Sequence, residues 1–521
     1  MNNPSNSSWV CKGYKEEPHP EVEIEWDESC PICARKRNSP ISKKKSTFPV
    51  GIVIATVALL ALLGGGGWLL YSMFIQNQTI ITEKEDQPID EPQIKDYGWK
   101  AERFTRGQRT LFPGKGNPNR DNGIKTFQQG DYSTAVNYFK RAVEANRNDP
   151  EVLIFYNNAL ARQKGNPLTL AAVVPVEGRA TSAEEMLRGV AQAQHQFNIS
   201  GGTNEQLLEI VIANNGNNPE NAERVAQELV KDQSILGVIG HNSSSASQAG
   251  LDVYEKVGLA MISPTSTSTS LKGNVFFRTV PSDAAAGEKL AQYVTNKLNL
   301  DKVVIFYNPN SNYSTSLQEA FANSFEGQVV KKIDMSQPNL NAGVEVSSSV
   351  FQGQAQAALL FPDTKYTAVA IEIARANASL SAEQRLKLIG GDALYSPTTL
   401  TAGGEAVEGL VLAVPWFAES SQSHNFIEAG KKQWGGLVNW RTAMSFDATQ
   451  AFIKAFSSNT SRSSILNQLR QVKLSSTETS GDEVEFTSEG ERQSEPILVK
   501  AVRGGFVRPP NSSFGFELVK E

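Results

Sequence analysis

The chain of 521 residues has three cysteines, Cys11, Cys30 and Cys33, and none after position 33. No disulfide is therefore available to the long C-terminal part, which must be held by its core, as a chain of this size can be. Histidine is nearly as scarce, four in all, which limits acid–base constellations, and there is no G-x-x-x-x-G-K-[ST] loop, no H-E-x-x-H helix and no G-x-S-x-G elbow. These gaps argue against an enzyme, and no motif requires a cofactor. An excess of positive charge is missing too. With 50 Lys and Arg against 55 Asp and Glu the net charge is −5, which argues against nucleic acid as a partner.

Long apolar runs are absent save one. Residues 48–75 carry no charge, and 50–70 are apolar apart from Thr56 and glycines. About 20 such residues suffice to cross a bilayer. The run begins too far from the N-terminus for a cleaved signal peptide and ends in Trp68, Tyr71 and Phe74, so it reads as an uncleaved transmembrane helix. Arg35, Lys36, Arg37, Lys43, Lys44 and Lys45 precede it and the acidic EKEDQPIDEPQ follows. By the positive-inside rule, residues 1–47 form a cytoplasmic tail, and everything after the span lies outside a bacterial inner membrane. All three cysteines fall in the tail. Cys30 and Cys33 form a C-x2-C knuckle which, with Cys11 and His19, supplies four soft ligands for a structural zinc, half of a zinc ribbon. The other reading is a disordered tail with reduced thiols.

Residues 76–100 are a linker rich in Asp, Glu, Gln and Pro. In the helical segment 101–165, DNGIKTFQQGDYSTAVNYFKRAVEANRNDPEV places Phe127, Tyr132, Ala135, Tyr138, Phe139, Ala142 and Pro150 at spacings that resemble one tetratricopeptide repeat. About three repeats are needed to bury a solenoid core, so the segment is expected to dock on the neighbouring domain or a partner chain.

Beyond residue 168, Val/Ile-rich strands alternate with amphipathic helices, the pattern of an α/β domain. Within 234–267, SILGVIGHNSSSASQAGLDVYEKVGLAMISPTST, two short buried strands each run into a loop of small hydroxyl residues. In an open parallel sheet, ligands sit beyond the carboxyl ends of the strands, where backbone N–H groups and helix N-termini favour an anion. These loops, with FFRTVPSD downstream and LTLAAVVPVEG upstream, resemble the periplasmic branched-chain amino acid binding proteins, the type I substrate-binding family of ABC transporters.

The resemblance runs from 168 to 521 and implies a two-lobe α/β fold, two doubly wound parallel sheets joined by a three-strand hinge. Lobe I would take 168–283 and 413–475, and lobe II 284–412 and 476–521. It implies that Ser244, Thr265 and Thr267 hold a ligand carboxylate, that Asp283 sits at the crossover into lobe II, and that Tyr313 closes over the ligand. Asp392 would take the ammonium. The first loop departs from the family with Arg179, read as an added anion clamp. An acidic amino acid, a small carboxylate or a peptide is thus as plausible as leucine. His241 reads as a packed loop residue. The implied function is a membrane-tethered solute receptor for amino acid transport or sensing, with an ABC permease or another envelope protein as partner. The rival is an interaction protein with a degenerate pocket, since helical repeats fused to this fold also resemble the lipoprotein activators of penicillin-binding proteins.

Overall fold

A run such as LTLAAVV, apolar on both faces, demands cover on both sides. In the computed structural model of the protein it is a fully buried strand at the heart of one of two large sheets. The structure describes residues 8–14, 17–25 and 102–520, apart from 113, 115, 420–423, 458–459 and 511. The expected membrane span and linker, and Cys30 and Cys33, lie outside these residues. Among the described residues no helix is long and apolar enough to cross a membrane. Strands β1 (Ser8–Tyr14) and β2 (Glu17–Glu25), which carry Cys11 and His19, pair as an antiparallel hairpin in a separate unit.

Lobe I begins before residue 168. A two-residue strand, β3 (Phe104–Thr105), leads into helices α1 (Pro118–Gln128), α2 (Tyr132–Ala145) and α3 (Pro150–Lys164). Asn117 and Asp149 cap α1 and α3, each followed by a proline at the first helical position, where a missing N–H costs nothing. Then β4 (Leu168–Val174), α4 (Ala180–Ile199), β5 (Leu208–Asn214), α5 (Pro219–Lys231), β6 (Ile235–Ile239), α6 (Ser244–Tyr254), β7 (Met261–Ser263) and β8 (Phe276–Arg278) alternate. The sheet order is β3-β5-β4-β6-β7-β8, parallel except for β3, which pairs antiparallel with β5.

The helical segment is built into this lobe. α3 is buried along nearly its whole length. Where β3 ends, the Asn158 side chain takes over the edge of β5: its Nδ2 donates to Ile210 O at 2.8 Å and its Oδ1 accepts from Ile210 N at 2.8 Å. Glu209, on β5 and fully buried, pairs with Arg106 from the N-terminal segment and Arg162 from α3. Burial raises its pKa, but the two guanidinium groups outweigh that and hold the carboxyl below its ordinary value.

Lobe II holds α7 (Asp283–Gln292), β9 (Lys302–Tyr307), α8 (Asn312–Ser324), β10 (Gln328–Asp334), α9 (Ala342–Phe351), β11 (Ala357–Phe361), α10 (Thr367–Ala378), β12 (Lys387–Gly390), α11 (Pro397–Gly403) and β13 (Val411–Val414). The chain returns to lobe I for α12 (His424–Trp434), α13 (Trp440–Ala455) and α14 (Arg462–Leu469). α13 packs so closely on α4 that a methyl at Gly189 would meet Thr442 O at 2.2 Å. A short hairpin, β14 (Lys473–Leu474) and β15 (Val484–Glu485), precedes the last strands, β16 (Ile497–Arg503) and β17 (Phe514–Leu518), in lobe II. That sheet runs β10-β9-β11-β12-β13-β16-β17 and is mixed, because β16 and β17 are antiparallel additions. The expectation of two parallel sheets is corrected accordingly: β16 and β17 are joined by a loop of ten residues with no crossover helix, and a parallel pair needs such a crossover, so they pair antiparallel.

Arginines tie the crossing segments together. Arg278 donates from Nε to Glu491 at 2.7 Å and from Nη1 to Ser268 O at 2.9 Å, and Arg492 donates from Nη1 to Thr279 O at 3.0 Å and to Asp447 at 2.8 Å. Both are buried, so the crossings are pinned by charge-assisted bonds.

Candidate ligand-binding cleft

In each lobe the strand order reverses once, between β4 and β6 in lobe I and between β9 and β11 in lobe II. A crevice opens at such a point because the loops on either side diverge. The two crevices meet. A cleft of about 390 Å3 is lined by Arg179 after β4, Ser243–Ser245 after β6, Asn310 and Tyr313 after β9, and Asp363–Lys365 after β11.

From lobe I the cleft receives the start of α6. Ser243 is the cap, its Oγ accepting from Ala246 N. Ser244, one residue on, is buried, and its Oγ accepts from Ser268 N at 3.4 Å. The Thr265 hydroxyl is shared between His241 O at 3.0 Å and Asn242 O at 2.9 Å, so this residue of the cleft wall shapes the serine loop. His241 is packed beneath, with Asn215 Nδ2 2.8 Å from its Nδ1 and Tyr254 Oη 3.1 Å from its Nε2. Burial pushes its pKa down to about 3, so it is a neutral spacer at physiological pH.

From lobe II come Tyr313, in the first turn of α8, and Asp392, just past β12. Tyr313 Oη accepts from Ala393 N at 3.3 Å, and Gly391 leaves room for it: a methyl there would lie 2.4 Å from that oxygen. Burial raises the Asp392 pKa, against the opposing pull of Tyr313 and of the Arg441 charge.

The structure brings Ser244, Thr265, Tyr313, Asp392 and Arg179 to one cleft. Thr267 and Asp283 are not on its wall. They are buried beside each other, with Asp283 N donating to Thr267 O at 2.8 Å. Burial pushes the Asp283 pKa up to about 7, and the nearby Asp392 charge adds to that. The nearby Thr267 and Ser316 hydroxyls oppose that rise, and Thr267 Oγ1 and Asp283 Oδ2 have no well-formed hydrogen bond among the described residues. Arg179, expected as an anion clamp, puts its guanidinium to another use: Nη2 donates to Thr364 O, tying the lobes together across the mouth. Trp440 and Arg441, at the start of α13, line the cleft and were not singled out from the sequence. The signal was faint: Asn439 as a cap before a Trp-Arg pair, in a helix that is buried nearly all round and mixes polar with apolar residues, so that it shows no face.

The sequence profile of the periplasmic binding protein family matches residues 167–505. The chain belongs to that family. An amino acid binding protein of Pseudomonas aeruginosa is 30% identical over 156 residues, 28% of this chain and 41% of its own length. The Leu/Ile/Val-binding protein of Escherichia coli is 24% identical over 316 residues, 57% of this chain and 81% of its own. The chain thus spans less than half the length of the first relative and most of the second. Among solved structures, the leucine-, isoleucine-, valine-, threonine- and alanine-binding protein of Brucella ovis in a closed conformation superposes with a TM-score of 0.61 at 16% identity, covering 68% of this chain and 95% of that one. A leucine binding protein of Thermotoga maritima gives 0.58 at 20%, covering 67% and 97%. These proteins are named for what they bind. None is an enzyme.

Proposed function

We propose that the protein is a membrane-tethered, extracytoplasmic receptor whose lobes close on a small zwitterionic, amino-acid-like solute, serving transport through an ABC permease or sensing. The observation that carries this reading is the division of chemistry across the cleft. Lobe I offers the N-terminal N–H groups of α6 with Ser244, which suit a carboxylate, and lobe II offers Asp392 with Tyr313, which suit an ammonium. A zwitterion satisfies both, whereas a neutral solute leaves one charge uncompensated. The names of the relatives, amino acid binding proteins throughout, support the same class.

Isothermal titration and thermal shift with the common amino acids, small carboxylates and amides test it. A bound amino acid at a hundredfold excess over Kd stabilises the protein by about 2.7 kcal/mol through mass action. If no compound binds, the cleft is not a solute site and the interaction-protein reading takes its place.

The topology gives a second expected result. With basic residues before the span 48–75 and acidic ones after it, protease added to spheroplasts should digest residues 100–521 and spare the first 47. Protection of the large C-terminal part would overturn the extracytoplasmic placement.

A further inference from the structure

Among the described residues that line the cleft there is no Leu, Ile, Val, Met or Phe. A branched aliphatic side chain enclosed there would meet the rings of Trp440 and Tyr313, Pro219 and Ala393 but no aliphatic pocket, so the gain of about 25 cal/mol per Å2 that apolar burial supplies would come from these alone. The wall is instead rich in donors. Trp440 and Arg441 are 1% and 8% exposed, and the Arg441 guanidinium stacks 4.4 Å from the centre of the Trp440 ring. Arg441 Nη1 donates to Glu185 Oε2 at 3.2 Å. Trp440 Nε1 and Arg441 Nε are buried and donate to nothing among the described residues. Two buried donors without a partner among the described residues, on consecutive residues that line the cleft, are costly to keep, and an acceptor that a ligand brings against them removes the cost. Lys365 adds a further positive charge to the same cleft, whose wall also carries Glu177, Asp363 and Asp392.

We infer that Trp440 and Arg441 form a subsite for the far end of the ligand, and that the preferred solute is an acidic amino acid whose side-chain carboxylate is taken by these two residues. The inference rests on the solute-binding reading and narrows it: Asp392 and the start of α6 hold the backbone ammonium and carboxylate, and the Trp440–Arg441 pair reads the side chain. A planar guanidinium already stacked on an indole is pre-oriented, so it accepts a carboxylate with little loss of rotamer freedom.

The test is titration of the purified full-length chain in mild detergent with L-glutamate, L-aspartate, L-glutamine and L-leucine. Glutamate or aspartate should bind at least tenfold tighter than leucine, and tighter than glutamine. Arg441→Met, which keeps a long side chain over the indole, should collapse the acidic-to-leucine preference toward unity. Trp440→Phe, which keeps the ring and removes the N–H, should shrink it in the same direction, and covers the case in which Arg441→Met fails to fold. Leucine binding as tightly as glutamate in the wild type would overturn the inference and leave the solute receptor standing. Glutamine equal to glutamate would overturn the acidic assignment, and binding of no amino acid would overturn both readings.

Discussion

Asp392→Asn should weaken amino acid binding by about two orders of magnitude, since losing one partner of a desolvated charge pair costs on the order of 2–5 kcal/mol and each 1.4 kcal/mol is a factor of ten. The fold itself should be no less stable, and the variant's own melting point should hold or rise. The Asp392 charge disfavours ionisation of Asp283, and burial disfavours the charge on both. Removing one charge relieves the pair. Protein groups alone put Asp283 at about 7, whereas an ammonium brought against the pair favours its ionised form and lowers that value. The sign follows: the ligand binds the deprotonated pair, so affinity is full above pH 7 and falls as pH drops through 7, with protons released on binding. Titration between pH 8 and 5 in buffers of different ionisation enthalpy measures both, and a flat profile for the wild type would mean that a bound ammonium is felt neither by Asp392 on the wall nor by Asp283 behind it. Melting points alone would mislead. His241, held at about 3 against an ordinary 6.5, withdraws stability over the same range as pH falls below 6.5.

Glu209→Ala should cost about 3–5 kcal/mol of stability, the usual penalty for removing one member of a buried ionic group and leaving the others uncompensated. Arg106 and Arg162 both converge on that carboxylate, and Arg106 also reaches Asp232 at 2.8 Å. The comparison that gives the number meaning is Glu345→Ala, which breaks the solvent-exposed pair with Lys331 and should change stability by no more than about 1 kcal/mol. Urea unfolding of both variants decides it. Equal, small losses would mean that the helical segment is not fastened to lobe I through Glu209.

The parts of the cleft wall legible in the sequence were those where polar groups sit next to their own secondary structure. Ser243 to Ser245 follow an apolar strand by a loop of three residues and open the next helix, and Asp392 follows β12 within two residues, so strand, loop and cleft-lining group are contiguous. Trp440 and Arg441 reach the same cleft from a helix that enters lobe I only after the chain has built most of lobe II, and nothing local marks that return. Thr267 and Asp283 were in the right neighbourhood, yet periodicity cannot tell a group on the wall from one just behind it. β3 is two residues long and has no period to read. Its existence depends on the open side of β5, a tertiary fact. The antiparallel end of the lobe II sheet was likewise hidden, because an alternating strand looks the same in either direction.

The attachment of the N-terminal helices also changes where the protein can be cut. The family profile begins at residue 167, and a shortened chain starting there looks complete by homology. It would lack β3 and Asn158, which occupy the outer hydrogen-bonding side of β5, and would bare a flat, largely apolar strand, LEIVIAN, with Glu209 stripped of both arginines. An uncapped edge of that kind pairs with the next molecule that offers one. Such a fragment should self-associate into insoluble material as its concentration rises, and the smallest soluble binding unit therefore starts upstream of Phe104.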